Sequence, residues 1–289
     1  MLTKEEFWKF TENGCLLDGA TGSNLRAAGM PRGCCTEQWV LEHPEPLVAL
    51  QRGYAEAGSQ IVYAPTFQAQ PIALKAVGLE KETEKINEML VSLSRSAAPG
   101  CLIAGDLTTL ATFCDSWDPG SFDLLVENYQ RQIRGLLAGG ADLLAAETLL
   151  YPQEAEAILT AAELEGAGAV LYTFTMQSDG SLFSGAEAGP ILRELEQAGA
   201  AAVGFNCVSA DMMTPYLVSK LHRYVKIPLV CKPNAGTPVI GSTGIAEYHM
   251  SPEEFADICL SCKGNGGRIL GGCCGTTPAH IAELKRRLG

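Results

Sequence analysis

The sequence predicts a single-domain α/β protein, a (β/α)8 TIM barrel covering residues 1–289. Three observations predict it. Eight short apolar runs each end in polar or turn-forming residues, and each is followed by a stretch of helical spacing. The length of 289 residues suits an eight-unit barrel of roughly 250 residues with modest loops. No composition shift, linker, low-complexity tract or internal repeat divides the chain, which favours one closed barrel over an open doubly wound sheet.

Taken in order, the first run covers residues 15–17 and stops at Asp18-Gly19-Ala20-Thr21-Gly22, a turn cluster that begins with a carboxylate. A loop holding Pro31, Gly33 and Cys34-Cys35 leads to helical spacing from Pro46 through Leu47, Leu50 and Tyr54 to Gly58. Residues 60–64 form the second strand, which ends at Pro65-Thr66-Phe67; helical patterns over 69–77 and 80–98 are broken at Gly78. The third strand, 101–104, stops at Gly105-Asp106 before a helix over 122–138. Residues 141–146 end at Glu147-Thr148 before a helix over 152–165, and residues 169–174 end near Thr175 before a helix over 190–198.

The sixth run, 201–205, carries Asn206-Cys207 at its end and precedes a helix over roughly 211–224. The seventh, 227–231, gives way to Lys232-Pro233-Asn234-Ala235-Gly236 and an irregular segment. Ser251-Pro252-Glu253-Glu254 then opens a helix: serine accepts a backbone N–H, proline suits the first position, and the acids favour the positive end of the dipole. Residues 268–270 run into Gly271-Gly272-Cys273-Cys274-Gly275-Thr276-Thr277-Pro278, where Thr277-Pro278 starts the last helix in the same way.

The formal net charge is −12, and the only basic block is the short Lys285-Arg286-Arg287, so no nucleic acid is expected as a partner. Acidic residues stand where a signal peptide carries its apolar region. No apolar run approaches the ~18 residues of a membrane span, so no membrane partner is expected and the protein is placed in the cytoplasm. In that reducing compartment, eleven cysteines point to packing, metal binding or catalysis instead of a disulfide framework.

In a barrel of this kind the active site is built at the C-terminal ends of the strands. Asp18, Thr66, Glu147, Cys207, Asn234, Cys273 and Cys274 all stand at the ends of apolar runs. Cys207 and the Cys273-Cys274 pair are two strand spacings apart, ~9–10 Å between backbones, so inward-reaching thiols could share one zinc ion at ~2.3 Å per bond. Adjacent residues of a regular strand point to opposite faces, so the pair can share an ion only where the backbone turns, as Gly271, Gly272 and Gly275 allow. Three thiolates leave a fourth tetrahedral position open, as in catalytic zinc sites. Cys15, Cys101, Cys114 and Cys231 read as core residues; so do Cys259 and Cys262, whose spacing falls inside a helical pattern. Cys34-Cys35 also leans to a structural role, and His43, His222, His249 and His280 adjoin none of the proposed ligands.

Asp18, Glu147 and Asn234 taken singly read equally as strand-end caps. Together, two carboxylates and a carboxamide suit an ammonium group, while backbone N–H groups of the Gly19-Ala20-Thr21-Gly22 turn suit a carboxylate. The combination fits a zwitterionic amino acid, and a thiol-bearing one could place its sulfur on the open zinc position.

These residues resemble those of the zinc-dependent homocysteine S-methyltransferases. The likeness runs through Leu17-Asp18-Gly19-Ala20-Thr21-Gly22, Pro65-Thr66-Phe67, Glu147-Thr148, Gly204-Phe205-Asn206-Cys207, Pro233-Asn234-Ala235-Gly236 and the glycine-rich segment 271–278, the last being the most specific. The resemblance implies a (β/α)8 barrel with zinc ligands Cys207, Cys273 and Cys274. It places homocysteine against Asp18, Gly19, Ala20, Thr21 and Glu147, with Thr66 and Asn234 as further contacts. It also implies a methyl donor: S-methylmethionine, S-adenosylmethionine, betaine or a methyl-corrinoid protein. Two departures, the segment Gly105-Asp106-Leu107-Thr108-Thr109-Leu110 and Pro65 before Thr66, are expected on the barrel rim and leave donor and acceptor identity open. Three readings follow: a stand-alone homocysteine methyltransferase, a subunit working with a separate corrinoid protein on homocysteine or another thiol, and a zinc- and thiol-binding barrel without turnover. A homo-oligomer is compatible with any of them.

Overall fold

Alternation along the strands decides what faces the middle of this molecule. In the computed structural model, which describes residues 1–241 and 246–289, eight parallel strands form one sheet. They are β1 (Cys15–Leu16), β2 (Ile61–Tyr63), β3 (Leu102–Thr108), β4 (Leu143–Leu149), β5 (Val170–Phe174), β6 (Ala202–Ser209), β7 (Leu229–Asn234) and, after the short antiparallel pair β8 (Val239–Ile240) and β9 (Ala246–Glu247), β10 (Ile269–Leu270). The strand order is β1-β10-β7-β6-β5-β4-β3-β2, and a parallel bridge from Leu17 to Ile61 joins the two ends into a barrel. Residues 242–245 of the expected irregular segment lie outside the described residues.

The chain enters through α1 (Lys4–Phe10); α2 (Gly22–Ala27), α3 (Thr36–Glu42) and α4 (Glu45–Glu56) separate β1 from β2. Then follow α5 (Pro71–Leu74), α6 (Thr83–Ala97), α7 (Phe122–Ala138), α8 (Pro152–Leu164), α9 (Ala188–Gln197), α10 (Thr214–His222), α11 (Pro252–Gly264) and α12 (Pro278–Leu288). Taking α4 and α6 to α12 as the outer layer gives one long helix per barrel strand, as the eight-unit reading requires. Both anticipated helix starts are capping boxes: Ser251 with Glu254 before α11, and Thr277 with His280 before α12.

Period-two alternation sorts the strand residues between two cores. Leu16, Val62, Ile103, Leu144, Tyr172, Val203, Cys231 and Leu270 pack outward with the helices, whereas Cys15, Leu17, Ile61, Tyr63, Ala104, Leu143, Ala145, Leu171, Val230 and Ile269 fill the barrel interior. Phe7 of α1 belongs to the interior cluster, and Trp8 Nε1 donates to the Ala201 carbonyl at 2.8 Å, so α1 plugs the barrel at the end where the strands begin. That helix had no counterpart in the sequence expectation, although Thr3 and Glu6 form its capping box.

The strands also run further than their apolar stretches. Expected ends at residues 104, 146, 205 and 231 become Thr108, Leu149, Ser209 and Asn234. Gly105-Asp106, Glu147-Thr148 and Lys232-Pro233 read as breakers because charged, glycine and proline residues usually leave a sheet. Inside a barrel the ladder continues, because inward polar side chains find one another across the lumen. The correction matters: Asp106, expected on a rim loop, is an interior residue two places beyond Ala104 on β3.

Candidate active site

Continuing the inward alternation past the apolar interior puts Asp106 on β3, Glu147 on β4, Asn206 on β6, Lys232 and Asn234 on β7, and Cys273 just beyond β10 in one polar layer. Asp106, Glu147, Lys232 and Cys273 of this layer line a cavity of about 340 Å³ at the C-terminal end of the strands, within the size range of small-molecule sites, while Asn206 and Asn234 lie behind it. Gly19, Ala20, Thr21, Glu147, Cys207, Cys273 and Cys274 line it, and so do Arg26, Asp106, Thr148 and Lys232, which the sequence expectation did not assign to the site.

The three predicted cysteine ligands converge. Their sulfurs all lie within 4.8 Å of one another, and Cys207 Sγ is 3.9 Å from Cys274 Sγ. Tetrahedral zinc with bonds of about 2.3 Å needs sulfurs about 3.8 Å apart, so the donor set fits that metal in number, kind and spacing. Hydrogen bonds from Cys207 and Cys273 pull the Cys274 thiol down to about 3, while the same sharing pushes Cys207 far above its ordinary value. Among the described residues no other group of three His, Cys, Asp or Glu side chains converges in this way. His280 caps α12 through Nδ1, and its Nε2 lies 3.1 Å from the Met250 carbonyl oxygen; His43, His222 and His249 are exposed.

Backbone geometry makes the convergence possible. Cys207 itself has φ 58°, a left-handed conformation uncommon without glycine, and Thr148 has φ 60°. Both sit where β6 and β4 slip register. Asn206 supports the two turns together. Its Oδ1 accepts from Thr148 N at 2.7 Å and from the Thr173 hydroxyl at 3.0 Å, and its Nδ2 donates to Thr148 Oγ1 at 2.7 Å and approaches Cys273 Sγ at 3.8 Å. Asn234 Nδ2 donates to the Cys207 carbonyl at 3.2 Å. At the other side, Gly275 takes φ 80° and Tyr248 presses on it, so that an added Cβ would come within 2.3 Å of that ring's base. Gly272 has no such φ; it is glycine because a Cβ would meet the Thr276 side chain at 2.3 Å.

Asp18, Thr66 and Asn234 stand behind the cavity lining. Asp18 Oδ2 accepts from Tyr63 N at 2.8 Å. Thr66 Oγ1 both donates to the Asp106 carbonyl and accepts from Asp106 N, each at 2.9 Å, tying β2 to β3. The Ala20 N–H, one of the amides expected to meet a carboxylate, is engaged by Thr276 Oγ1 at 3.1 Å.

The main addition is Lys232. Its Nζ donates to Glu147 Oε2 at 2.7 Å, lies 3.9 Å from Asp18 Oδ1 and sits 3.8 Å above the Tyr63 ring centroid. Burial disfavours its charge, yet Glu147 and Asp18 outweigh burial and hold its pKa well above the usual lysine value. Burial pushes the Asp18 carboxyl up to about 7 against the pull of Lys232, and it raises Glu147 against the same opposing cation. Asp106 is driven well above the usual range, first by burial and then by Glu147. The signal for both missed residues was their parity: Asp106 follows Ala104, and Lys232 follows Val230, at two-residue steps.

Of the remaining cysteines, Cys231, Cys259 and Cys262 lie together in the outer core with thiol pKa values raised first by burial, in keeping with a packing role. Cys15 and Cys101 are buried too, Cys114 is partly buried and Cys34 is exposed.

The homocysteine S-methyltransferase family model matches residues 15–288. A methionine synthase of Mycobacterium tuberculosis is 29% identical over 288 residues, covering 92% of this chain but 24% of its own length, so the chain spans about a quarter of that relative. Homocysteine S-methyltransferase of Escherichia coli is 30% identical over 295 residues, with 94% of each chain covered. The crystal structure of the homocysteine methyltransferase MmuM from Escherichia coli in its metallated form superposes with a TM-score of 0.82 at 27% identity, covering 99% of this chain and 100% of that one. The carboxyl transferase domain of Rhizobium etli pyruvate carboxylase, at 15% identity and a TM-score of 0.57, shares the fold.

Proposed function

The chain belongs to the homocysteine S-methyltransferase family, and from that premise we propose that it transfers a methyl group to the sulfur of homocysteine, giving methionine, with Zn2+ held by Cys207, Cys273 and Cys274. The observation that carries the reading is the three-thiol cluster opening into a cavity whose other walls bear charged groups and a glycine turn suited to an amino acid. Bound zinc would lower the pKa of a fourth, substrate thiol and hold it as a nucleophilic thiolate at neutral pH.

The chain's own residues do the rest. The Gly19 and Thr21 amides, with Arg26 at the edge of the cavity, suit the acceptor carboxylate. Glu147 offers its charge to the acceptor ammonium. Asn206 and Asn234 fix the left-handed turn that brings Cys207 to the other thiols. In the transfer a sulfur–carbon bond forms, the donor leaves without its methyl group, and the thiol proton passes to solvent. The whole barrel, residues 1–289, acts as the acceptor-binding domain, and its reduced thiols suit the cytoplasm. Among the described residues no helix is long and apolar enough to cross a membrane.

The leading reading is methylation by a small donor, S-methylmethionine or S-adenosylmethionine, and the match over 94% of the Escherichia coli homocysteine S-methyltransferase is in keeping with it. A second reading has its own observation. Trp117, Phe183, Met212, Tyr216 and Ile240 are exposed apolar residues, all in segments that follow barrel strands β3, β5, β6 and β7, as a rim receiving a methyl-corrinoid protein would need. Incubating zinc-loaded protein with homocysteine and each donor in turn separates the two. Methionine from S-methylmethionine or S-adenosylmethionine establishes the first, methionine from the methyl-corrinoid protein alone the second, and none from any donor despite tight homocysteine binding leaves a binding protein.

A further inference from the structure

We propose that the ammonium group of the amino-acid acceptor is held by Asp106 together with the second oxygen of Glu147, and that Lys232 is the positioning residue that keeps it out of the space between Asp18 and Glu147. This deepens the acceptor reading above and rests on it.

The expected ammonium site, between Asp18 and Glu147, already contains a cation. Lys232 Nζ is 2.7 Å from Glu147 Oε2 and 3.9 Å from Asp18 Oδ1, and the lysine is buried over the Tyr63 ring. Asp18 lies behind the cavity lining, and its Oδ2 is engaged by Tyr63 N. Asp106 is different on both counts. It lines the cavity, is only 5% exposed, and its Oδ1 has no hydrogen-bond partner.

Nothing in the fold needs the Asp106 carboxylate. Its backbone is braced by Thr66 Oγ1 on both N–H and carbonyl, and Gln132 Nε2 adds a bond to the carbonyl at 3.1 Å, so the strand would keep its course with a neutral side chain. A desolvated carboxylate without a counterion is costly unless a ligand supplies a donor and a charge. Burial and then Glu147 raise its proton affinity, Lys232 offsets only part of this without bonding to Oδ1, and an arriving cation relieves the rest. An ammonium answers both needs, because it brings N–H donors as well as charge. A sulfonium centre, by contrast, brings charge without a hydrogen to donate and would leave Oδ1 unbonded.

The test needs no methyl donor. Binding of homocysteine and of 4-mercaptobutanoate, the same thiol acid without the ammonium, is measured by calorimetry on zinc-loaded wild type, Asp106→Asn and Asp18→Asn, with Asp106→Ser as a second variant in case the amide folds poorly. Expected is a preference for homocysteine of at least tenfold in wild type and Asp18→Asn. It should fall to within about threefold in the Asp106 variants, while affinity for 4-mercaptobutanoate stays nearly constant. A preference retained by both Asp106 variants, or lost in Asp18→Asn instead, overturns the assignment while leaving the acceptor reading intact. Failure of wild type to bind either thiol overturns the acceptor reading and this inference with it.

Discussion

Replacing Lys232 with methionine tests whether the charge layer across the lumen is a balanced network. Methionine keeps most of the lysine stem but removes the cation from between two buried carboxylates. At an effective dielectric of about 20, pairs at the observed 2.7 Å and 3.9 Å are worth about 6 and 4 kcal/mol of attraction, against several kcal/mol for desolvating the ammonium. Breaking such a buried arrangement from one side costs a net of about 3–5 kcal/mol. The cost depends on pH with a definite sign. Asp18 carries a folded-state pKa of about 7, above its ordinary value, so its ionisation is a penalty that is absent below about pH 4 and fully present above about 7. Glu147 is raised in the same direction, and Lys232 is the term that lowers both. Removing Lys232 therefore deepens the penalty on the alkaline side. Urea unfolding followed by circular dichroism at pH 5, 6.5 and 8 should show Lys232→Met destabilised by about 3–5 kcal/mol at pH 8 and by under about 2 kcal/mol at pH 5, where Asp18 has taken up its proton. A deficit that does not change with pH, or a variant as stable as wild type at pH 8, would refute the reasoning.

Three further outcomes follow from the geometry of the site. Cys207→Ala should lose zinc at equimolar metal by elemental analysis, because two thiolates replace three; full occupancy would sink the ligand assignment. Asn206→Ala should cost about 2–4 kcal/mol in chemical denaturation, since it strands the Thr148 N–H and the Thr173 hydroxyl, and should weaken zinc about 10–100-fold in a chelator competition; an unchanged metal affinity would show that Asn206 does not set the Cys273 and Thr148 positions. Gly275→Ala should lower stability by about 1–3 kcal/mol from its φ of 80° alone, and more once Tyr248 is displaced, whereas a melting temperature equal to wild type would mean the turn is less constrained than it looks.

Much of this was legible in the chain because glycine, cysteine and periodicity are local signals. The Cys273-Cys274 pair in its glycine nest, and Cys207 at the end of an apolar run, point to one metal from sequence alone, and the sulfurs do converge. Eight runs with turn clusters gave the barrel. What stayed hidden depended on partners far apart in sequence. Lys232 reads as a strand breaker until Glu147, 85 residues away, is found 2.7 Å from it. Asp106 reads as rim loop until the ladder is seen to continue to Thr108. Thr66 resembles a substrate contact but braces Asp106 across β2 and β3, and Asp18 lies behind the wall it was expected to line. Proximity across a lumen cannot be read from one strand at a time; two-residue parity carried past the apolar stretch would have recovered Asp106 and Lys232 as interior residues.

The central claim is that three cysteines hold a zinc ion with one position kept for the sulfur of a substrate. Zinc-edge X-ray absorption on the metal-loaded protein, recorded before and after adding homocysteine, tests it most directly. Expected are three sulfurs and one lighter ligand at rest, changing to four sulfurs at about 2.3 Å with homocysteine bound. A first shell with fewer than three sulfurs at rest, or one unchanged by saturating homocysteine, would contradict it.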